Sequence, residues 1–327
     1  MEKTWGAPHM TVTSATDDEE ARHSPGPEKW WGESWYFDFV ASDGSVGGYC
    51  RLGLYPNRDA SWFWFHTTGG GLSTVQIRDH ALACPNGEIS ELGAGDWRST
   101  LKRGPDGWNI TLNGEGLALK NPLEALGSEA GDPVDIEAEL AWVDRGPVFR
   151  YDVTTRYEQT CRVAGRLRLG ERQWAIRGGG QRDHSWGVRD WTMYHFWSSG
   201  SLSDGSAYHV VSLPEIPLTI GYLLSPEERL EPLTTASLSH TFDSDGLPRR
   251  VRMNLVSDSR TSSTLAVTAD AVGQAPVSLP TPDGGGSRFP RSIVSLAAND
   301  GRRGWGWIEY NLPRGDQSVF LDTHPQG

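Results

Sequence analysis

The sequence predicts an all-β protein, read as two antiparallel β domains in tandem. Three observations carry this. Eight two-residue turn signals punctuate the chain: Asp-Gly at 43–44, 106–107, 204–205, 245–246, 283–284 and 300–301, and Asn-Gly at 86–87 and 113–114. Glycine and its Asp or Asn neighbour tolerate the positive φ that tight hairpins need. Long amphipathic helical patterns are absent. The best helix candidates, residues 122–127 and 226–230, amount to a turn or two each. Finally, Ser-Asp-Gly-Ser occurs at 42–45 and again at 203–206, about half the chain apart. Each copy follows an aromatic run and precedes a tyrosine (Tyr49, Tyr208), which reads as a weak internal repeat.

The elements follow in order. Residues 1–27 are polar, acidic at 17–20 and broken by Ser24-Pro25-Gly26-Pro27, and are expected to be a disordered tail. From Trp30 the pattern changes to strands. Residues 35–40 and 48–55 flank the first Asp-Gly and form a hairpin signal. Further runs lie at 61–66, 74–78, 108–112, 134–143 and 148–157. Gly69-Gly70-Gly71 falls between two strands and reads as a turn, not a phosphate cradle. Trp305-Gly306-Trp307, followed by Ile308-Glu309-Tyr310, reads as a terminal core strand. The domains are placed at 28–175 and 176–327.

Composition narrows the function. The 327 residues hold 30 Lys+Arg against 42 Asp+Glu, a net charge of −12, which disfavours sequence-independent nucleic-acid binding. No apolar run reaches the roughly 18 residues of a membrane helix. The first 27 residues lack a secretory pattern. Cys50, Cys84 and Cys161 form no Cys-x-x-Cys, so reduced thiols and a cytoplasmic location are expected. Phosphate-loop, dinucleotide, nucleophile-elbow and zinc-protease motifs are missing. His66, His80, His184, His195 and His209 show no compact ligand spacing. No metal and no cofactor are expected, although ligands drawn from several strands stay open as an alternative. Fifteen tryptophans point to a large core or an aromatic ligand cavity.

Residues 174–197 stand apart, with four Trp, three Arg, two His and two Asp around the triplet Gly178–Gly180. If 182–186 is extended, Arg182, His184 and Trp186 share one face, and Asp183 and Ser185 the other. The glycines let the backbone bend or approach a ligand closely. The Arg-Asp pairs at 182–183 and 189–190 are expected to cross-pair. On the residues alone, this segment is either a structural network between domains or a site.

The string Gly180-Gln181-Arg182-Asp183-His184-Ser185-Trp186-Gly187-Val188-Arg189-Asp190-Trp191 resembles the signature of the AttH/hydroxyneurosporene-synthase-like superfamily. That superfamily includes carotenoid 1,2-hydratase and relatives of fungal Diels–Alderases. Asp-His-x-Trp-Gly is the specific part, and the Trp-rich pattern at 31–65 is similar too. The resemblance spans 28–327 and is sharp over the central dozen residues. It implies two tandem lipocalin-like β domains, each a barrel or half-barrel, with a ligand cavity at their junction. In the hydratase branch the motif His and Trp are implicated in catalysis, which implies His184 and Trp186 here. That branch also has a downstream Tyr-x-Asp. This chain has Tyr208-His209-Val210, without the Asp, and Asp204 lies out of pattern. Carotenoid hydration itself is therefore not implied.

The resulting expectation is a cofactor-independent hydratase or cyclase acting on a hydrophobic isoprenoid- or terpenoid-like substrate. An apolar pocket raises a carboxyl pKa and so keeps an acid ready to protonate an alkene. Asp183 is the candidate acid, with Asp190 second; His184 orients it or activates water. Trp186, Trp191 and Trp197 offer ring faces to the cation, worth ~0.5–2 kcal/mol each. Arg182, Trp191, Tyr194, His195, Trp197 and Tyr208 are the expected substrate-binding residues. Two alternatives remain: a pericyclase or isomerase using donors such as Arg182, Tyr194 or Tyr208, and a non-catalytic lipid or terpenoid carrier.

Overall fold

The computed structural model describes residues 14–85, 92–94, 96–127, 130–216, 218–257, 263–282, 284–313 and 315–321. The first sheet has eleven strands: β1 (Gly32–Ala41), β2 (Gly47–Tyr55), β3 (Ala60–Gly69), β4 (Leu72–Leu82), β5 (Leu92–Ala94), β6 (Trp97–Gly104), β7 (Gly107–Ala118), β8 (Asp132–Asp144), β9 (Phe149–Arg150), β10 (Arg156–Leu169) and β11 (Arg172–Gly187). It runs β4-β3-β2-β1-β11-β10-β8-β7 and curls back through a short β4–β7 pairing, Val75 opposite Ala118 and Gln76 opposite Leu117.

The second unit is a closed antiparallel barrel: β12 (His195–Leu202), β13 (Ala207–Leu213), β14 (Leu218–Leu224), β15 (Leu230–Phe242), β16 (Pro248–Ser257), β17 (Thr264–Gln274), β20 (Arg291–Ala298) and β21 (Arg303–Asn311). A ribbon of β18 (Val277–Pro280) and β19 (Gly286–Phe289) lies between β17 and β20 in sequence. No helix among the described residues is long and apolar enough to cross a membrane.

The aromatic runs are buried on both faces. Along β1, Trp35, Phe37 and Phe39 fill the first barrel, while Tyr36 and Val40 join a second cluster between the barrels. On β3, Phe63 and Phe65 point inward and Trp62 and Trp64 outward. Two-sided burial requires a continuous apolar run, which is why these strands do not alternate with polar residues. Each fully buried Phe is worth about 1.5–3 kcal/mol. The second barrel has its own core around Phe196, Val210, Leu255, Val294 and Ile308.

The repeated tetrapeptide marks the first hairpin of each barrel. Gly44 and Gly205 have φ of 69° and 89°, and Asp43 and Asp204 each accept the amide of the serine two residues on, at 3.0 Å. Asn113-Gly114 departs from expectation and lies inside β7. A Cβ on Gly114 would sit 2.3 Å from the Asp96 carbonyl, so the glycine serves close strand packing, not a turn. Residues 122–126 form a 3-10 helix, whereas 226–230 make a turn with Glu228 at φ 63°. The run at 148–157 is strand only at β9 and from Arg156 onward. The Asn-Gly at 86–87 and Asp283 lie outside the described residues.

Two expected boundaries are corrected. The division at 175/176 falls inside β11, which pairs with β1 and β10 along the first sheet; the chain leaves that sheet after Gly187 and enters the second barrel at His195. Residues 14–27 are not a free tail. A one-turn helix, Asp17–Glu20, is capped by Thr16, and Glu20 is buried against Arg182 at 2.7 Å. The acidic run stays ordered because Glu20 neutralises the buried Arg182 and Glu19 pairs with the part-exposed Arg150.

Candidate functional site

The motif occupies β11, paired residue by residue with β1: Trp35 opposite His184, Tyr36 opposite Asp183, Phe37 opposite Arg182. Alternation then sends its side chains to two different places. Arg182 faces the first barrel, with Nε and Nη2 on the Asp144 carboxylate at 2.7 and 2.6 Å and Nη1 donating to the Tyr157 hydroxyl at 2.9 Å. His184 lies on the same side, stacked on Trp35 with centroids 4.3 Å apart. Its Nδ1 donates to the Glu19 carbonyl at 2.6 Å, which turns Nε2 toward Glu33 Oε1 at 3.0 Å. His23 Nδ1 meets the same oxygen at 2.7 Å, and Trp186 stacks on the His23 ring at 3.8 Å.

The opposite face opens on a cavity of about 500 Å³ at the junction of the two barrels. Asp183 lines it, 2.9 Å from Arg156 Nη2, and the same nitrogen meets Glu158 Oε1 at 2.6 Å. Burial pushes the Asp183 carboxyl up from its ordinary range, and Arg156 opposes that. Beside it the Tyr151 hydroxyl is 2.7 Å from His209 Nε2; burial, then Arg156, pushes that imidazole well below its usual value and keeps it neutral. Further along the wall, Arg291 pairs with Glu309 at 2.8 Å, and His195 meets Glu309 at 3.2 Å. Glu309 is held at about 2 despite burial, by Arg291 and then His195. Trp64, Trp186, Trp191 and Trp197 supply aromatic surface. Val153, Val188 and Ile216, all exposed, belong to the same lining and leave its rim apolar.

The cavity thus gathers Asp183, Trp186, Trp191, His195 and Trp197 from the expected residues. It does not gather Arg182 or His184, which face the first barrel, nor Tyr194 and Tyr208, which belong to the second barrel's core. Tyr208 bonds Ser198 Oγ at 3.0 Å, and strand alternation turns His209 to the junction instead. The expected cross-pairing of the two Arg-Asp dipeptides is also corrected. Arg182 takes Asp144 and Glu20, Arg189 reaches the hydroxyls of Ser34 and Ser185, and Asp190 accepts the amide and hydroxyl of Thr192. Each arginine takes acceptors on its own face, carboxylates for Arg182 and hydroxyls alone for Arg189.

Sequence reasoning missed Tyr151, Arg156, Glu158 and His209. The register of β10 against β11, Glu158 opposite Asp183, brings Arg156 and Glu158 to the motif, whereas Tyr151 comes from the connection between β9 and β10 and His209 from β13 of the second barrel. It also missed that His23, Glu33 and His184 offer three ligand atoms within 4.8 Å of one another, an arrangement able to hold a metal ion. These three come from separate segments, so no spacing in the sequence announces them.

No curated protein matches the chain. Among solved structures it is similar to a protein described as AttH from Nitrosomonas europaea, with a TM-score of 0.61 at 13% identity over 93% of this chain and 99% of that one. It is similar to CghA bound to Sch210972, TM-score 0.56, 12% identity, over 88% and 90% of the two chains. Kievitone hydratase from Nectria haematococca gives a TM-score of 0.50 at 10% identity over 86% and 89%. The likeness is one of fold, and it agrees with the AttH-like, lipocalin-like architecture that the motif implied. The model of a domain of unknown function, DUF7064, matches residues 16–314, from the ordered acidic segment through the last barrel strand, and the chain belongs to that family.

Proposed function

We propose that this protein is an enzyme that converts a hydrophobic small molecule in the junction cavity, by protonating an alkene and letting water or an internal double bond trap the cation. The observation that carries the reading is Asp183: a buried carboxyl, raised by burial, facing an aromatic cavity with an apolar rim. In its protonated form Asp183 delivers a proton to one alkene carbon. The cation left on the other carbon rests against Trp191, Trp197 or Trp186. Water then adds and returns a proton to the Asp183 carboxylate, or a second alkene closes a ring and loses one. Tyr151, bonded to His209, is placed to hold the attacking water. His184 acts on this reading as a positioning residue, through Glu33 and Trp35 behind the motif strand. A hydratase and a Diels–Alderase among proteins of this fold support an enzyme of this general type.

The test is incubation of the full chain with isoprenoid and polyene substrates in deuterated or oxygen-18 water, read by mass spectrometry. Solvent label in the product is expected, and Asp183→Asn should lower turnover at least about 100-fold, the usual contribution of a general acid. Full turnover in that variant would remove the role of Asp183. A second reading, pericyclic closure, is favoured by the Arg156–Asp183 ion pair, which holds charge on the carboxyl and offers donors to a substrate carbonyl. Rearranged product without label and a flat pH–rate profile would select it. A ligand returned unchanged would select a carrier.

A further inference from the structure

Three arginines face one end of the cavity: Arg51 from β2, Arg156 from β10 and Arg189 just after β11. Their charges act on one another and on Asp183. Two carboxylates stand against them, and both take Arg156: Asp183 at 2.9 Å and Glu158 at 2.6 Å. The Arg51 guanidinium makes no hydrogen bond or ion pair among the described residues. It lies over the Trp64 ring at 4.7 Å, and its Nη1 is buried without a partner. Arg189 reaches hydroxyls alone, Ser185 and Ser34. A buried guanidinium nitrogen left unbonded is costly unless an acceptor arrives. The far end of the cavity is different, since Glu309 already neutralises Arg291.

We infer that Arg51 and Arg189, with the Ser34 and Ser185 hydroxyls, form a subsite for one anionic head group, and that the substrate is an amphipathic carboxylic acid with an apolar body. The inference rests on the junction cavity being an apolar substrate site. A carboxylate fits because its two oxygens match guanidinium donors in parallel, and the hydroxyls bond its remaining lone pairs. The aromatic wall and apolar rim take the hydrocarbon. The subsite adjoins Asp183, so it fixes where along the chain the reacting carbon sits. The bound anion also offsets the arginine field around Asp183 and favours its protonated form, coupling head-group capture to acid strength.

The probe is cis-parinaric acid, a fluorescent polyene acid, against its methyl ester, titrated into the full chain and read by energy transfer from tryptophan. The acid should bind at least about tenfold more tightly than the ester. Arg51→Met and Arg189→Gln should each erode that ratio by about tenfold, leaving ester affinity in place, and Arg189→Lys, which keeps the charge but loses the planar fork, should erode it less than Arg189→Gln. Near-UV circular dichroism checks that the variants keep the packed junction, and Arg189, on the exposed link after β11, is the variant least able to disturb it. Equal affinity for acid and ester overturns the subsite and leaves the apolar cavity standing. A ratio unchanged in both arginine variants does the same. Failure to bind either probe overturns the apolar-cavity reading, and the subsite with it.

Discussion

Asp38 sits on β1 two residues from Tyr36, which lines the cavity, and it accepts the Gln181 amide at 2.8 Å and the Tyr36 hydroxyl at 2.9 Å. Burial pushes its carboxyl from 3.8 up to about 7, with both hydrogen bonds opposing. The folded value therefore lies above the unfolded one. Between pH 4 and 7 the native state holds a proton that the unfolded chain has released, so stability falls as pH rises through that window. The interval corresponds to about 4 kcal/mol. Asp38→Asn removes the titration and can still accept from Gln181 N. The variant should match the parent near pH 4 and gain stability over it toward pH 8, measured by urea unfolding across the range; parallel curves would show that Asp38 does not titrate there. At the residue scale the sequence is informative about faces and silent about partners. Strand alternation along 182–186 is enough to put Asp183 and His184 on opposite faces. What meets each of them, Glu33 and His23 on one side and Arg156 and Glu158 on the other, depends on strand register, which a single sequence does not carry.

Glycine in the motif strand answers to neighbouring backbone more than to a ligand. A Cβ on Gly178 would lie 1.9 Å from the Val40 carbonyl, and one on Gly180 would lie 2.0 Å from the Asp38 carbonyl. On Gly179, the opposing atom is Ser201 Oγ of the second barrel at 2.6 Å. The triplet lets β11 lie flush between β1 and β12. Gly180→Ala meets backbone that cannot swing away, so it should cost about 1–3 kcal/mol or more. Gly70→Ala, with nothing within 4 Å, should stay within about 0.5 kcal/mol. Denaturant midpoints of the two variants decide it, and comparable losses would refute the packing argument. Element by element, the continuous aromatic runs of β1 and β3 and the two Ser-Asp-Gly-Ser hairpins were legible, because two-sided burial and Asx turns have local signatures. The break at 151–155 and the strand role of Asn113-Gly114 were not, because both follow from which neighbour the chain packs against.

The two barrels share a core instead of touching through a polar seam. Tyr36, Tyr49, Trp62 and Trp64 from the first pack with Trp197, Ile293 and Trp307 from the second. Buried hydrogen bonds stitch the same surface. Trp307 Nε1 donates to the Phe39 carbonyl at 3.1 Å, and the Tyr49 hydroxyl to the Ala275 carbonyl at 2.8 Å. Thr160 and Tyr222 join their hydroxyls at 2.7 Å. Independent domains in one chain meet through smaller, more polar contacts and unfold separately. Here, opening the junction would expose large aromatic rings and strand carbonyl acceptors on β1 and the end of β17. The cost of that exposure couples the barrels, so calorimetry should show one transition, with calorimetric and van't Hoff enthalpies equal. Trp307→Phe strips the donor from the Phe39 carbonyl while keeping an aromatic ring. It should lower the midpoint yet leave a single transition. Two resolved transitions in the parent chain would mean that each barrel is stable alone, and that the cavity between them forms by docking after both have folded.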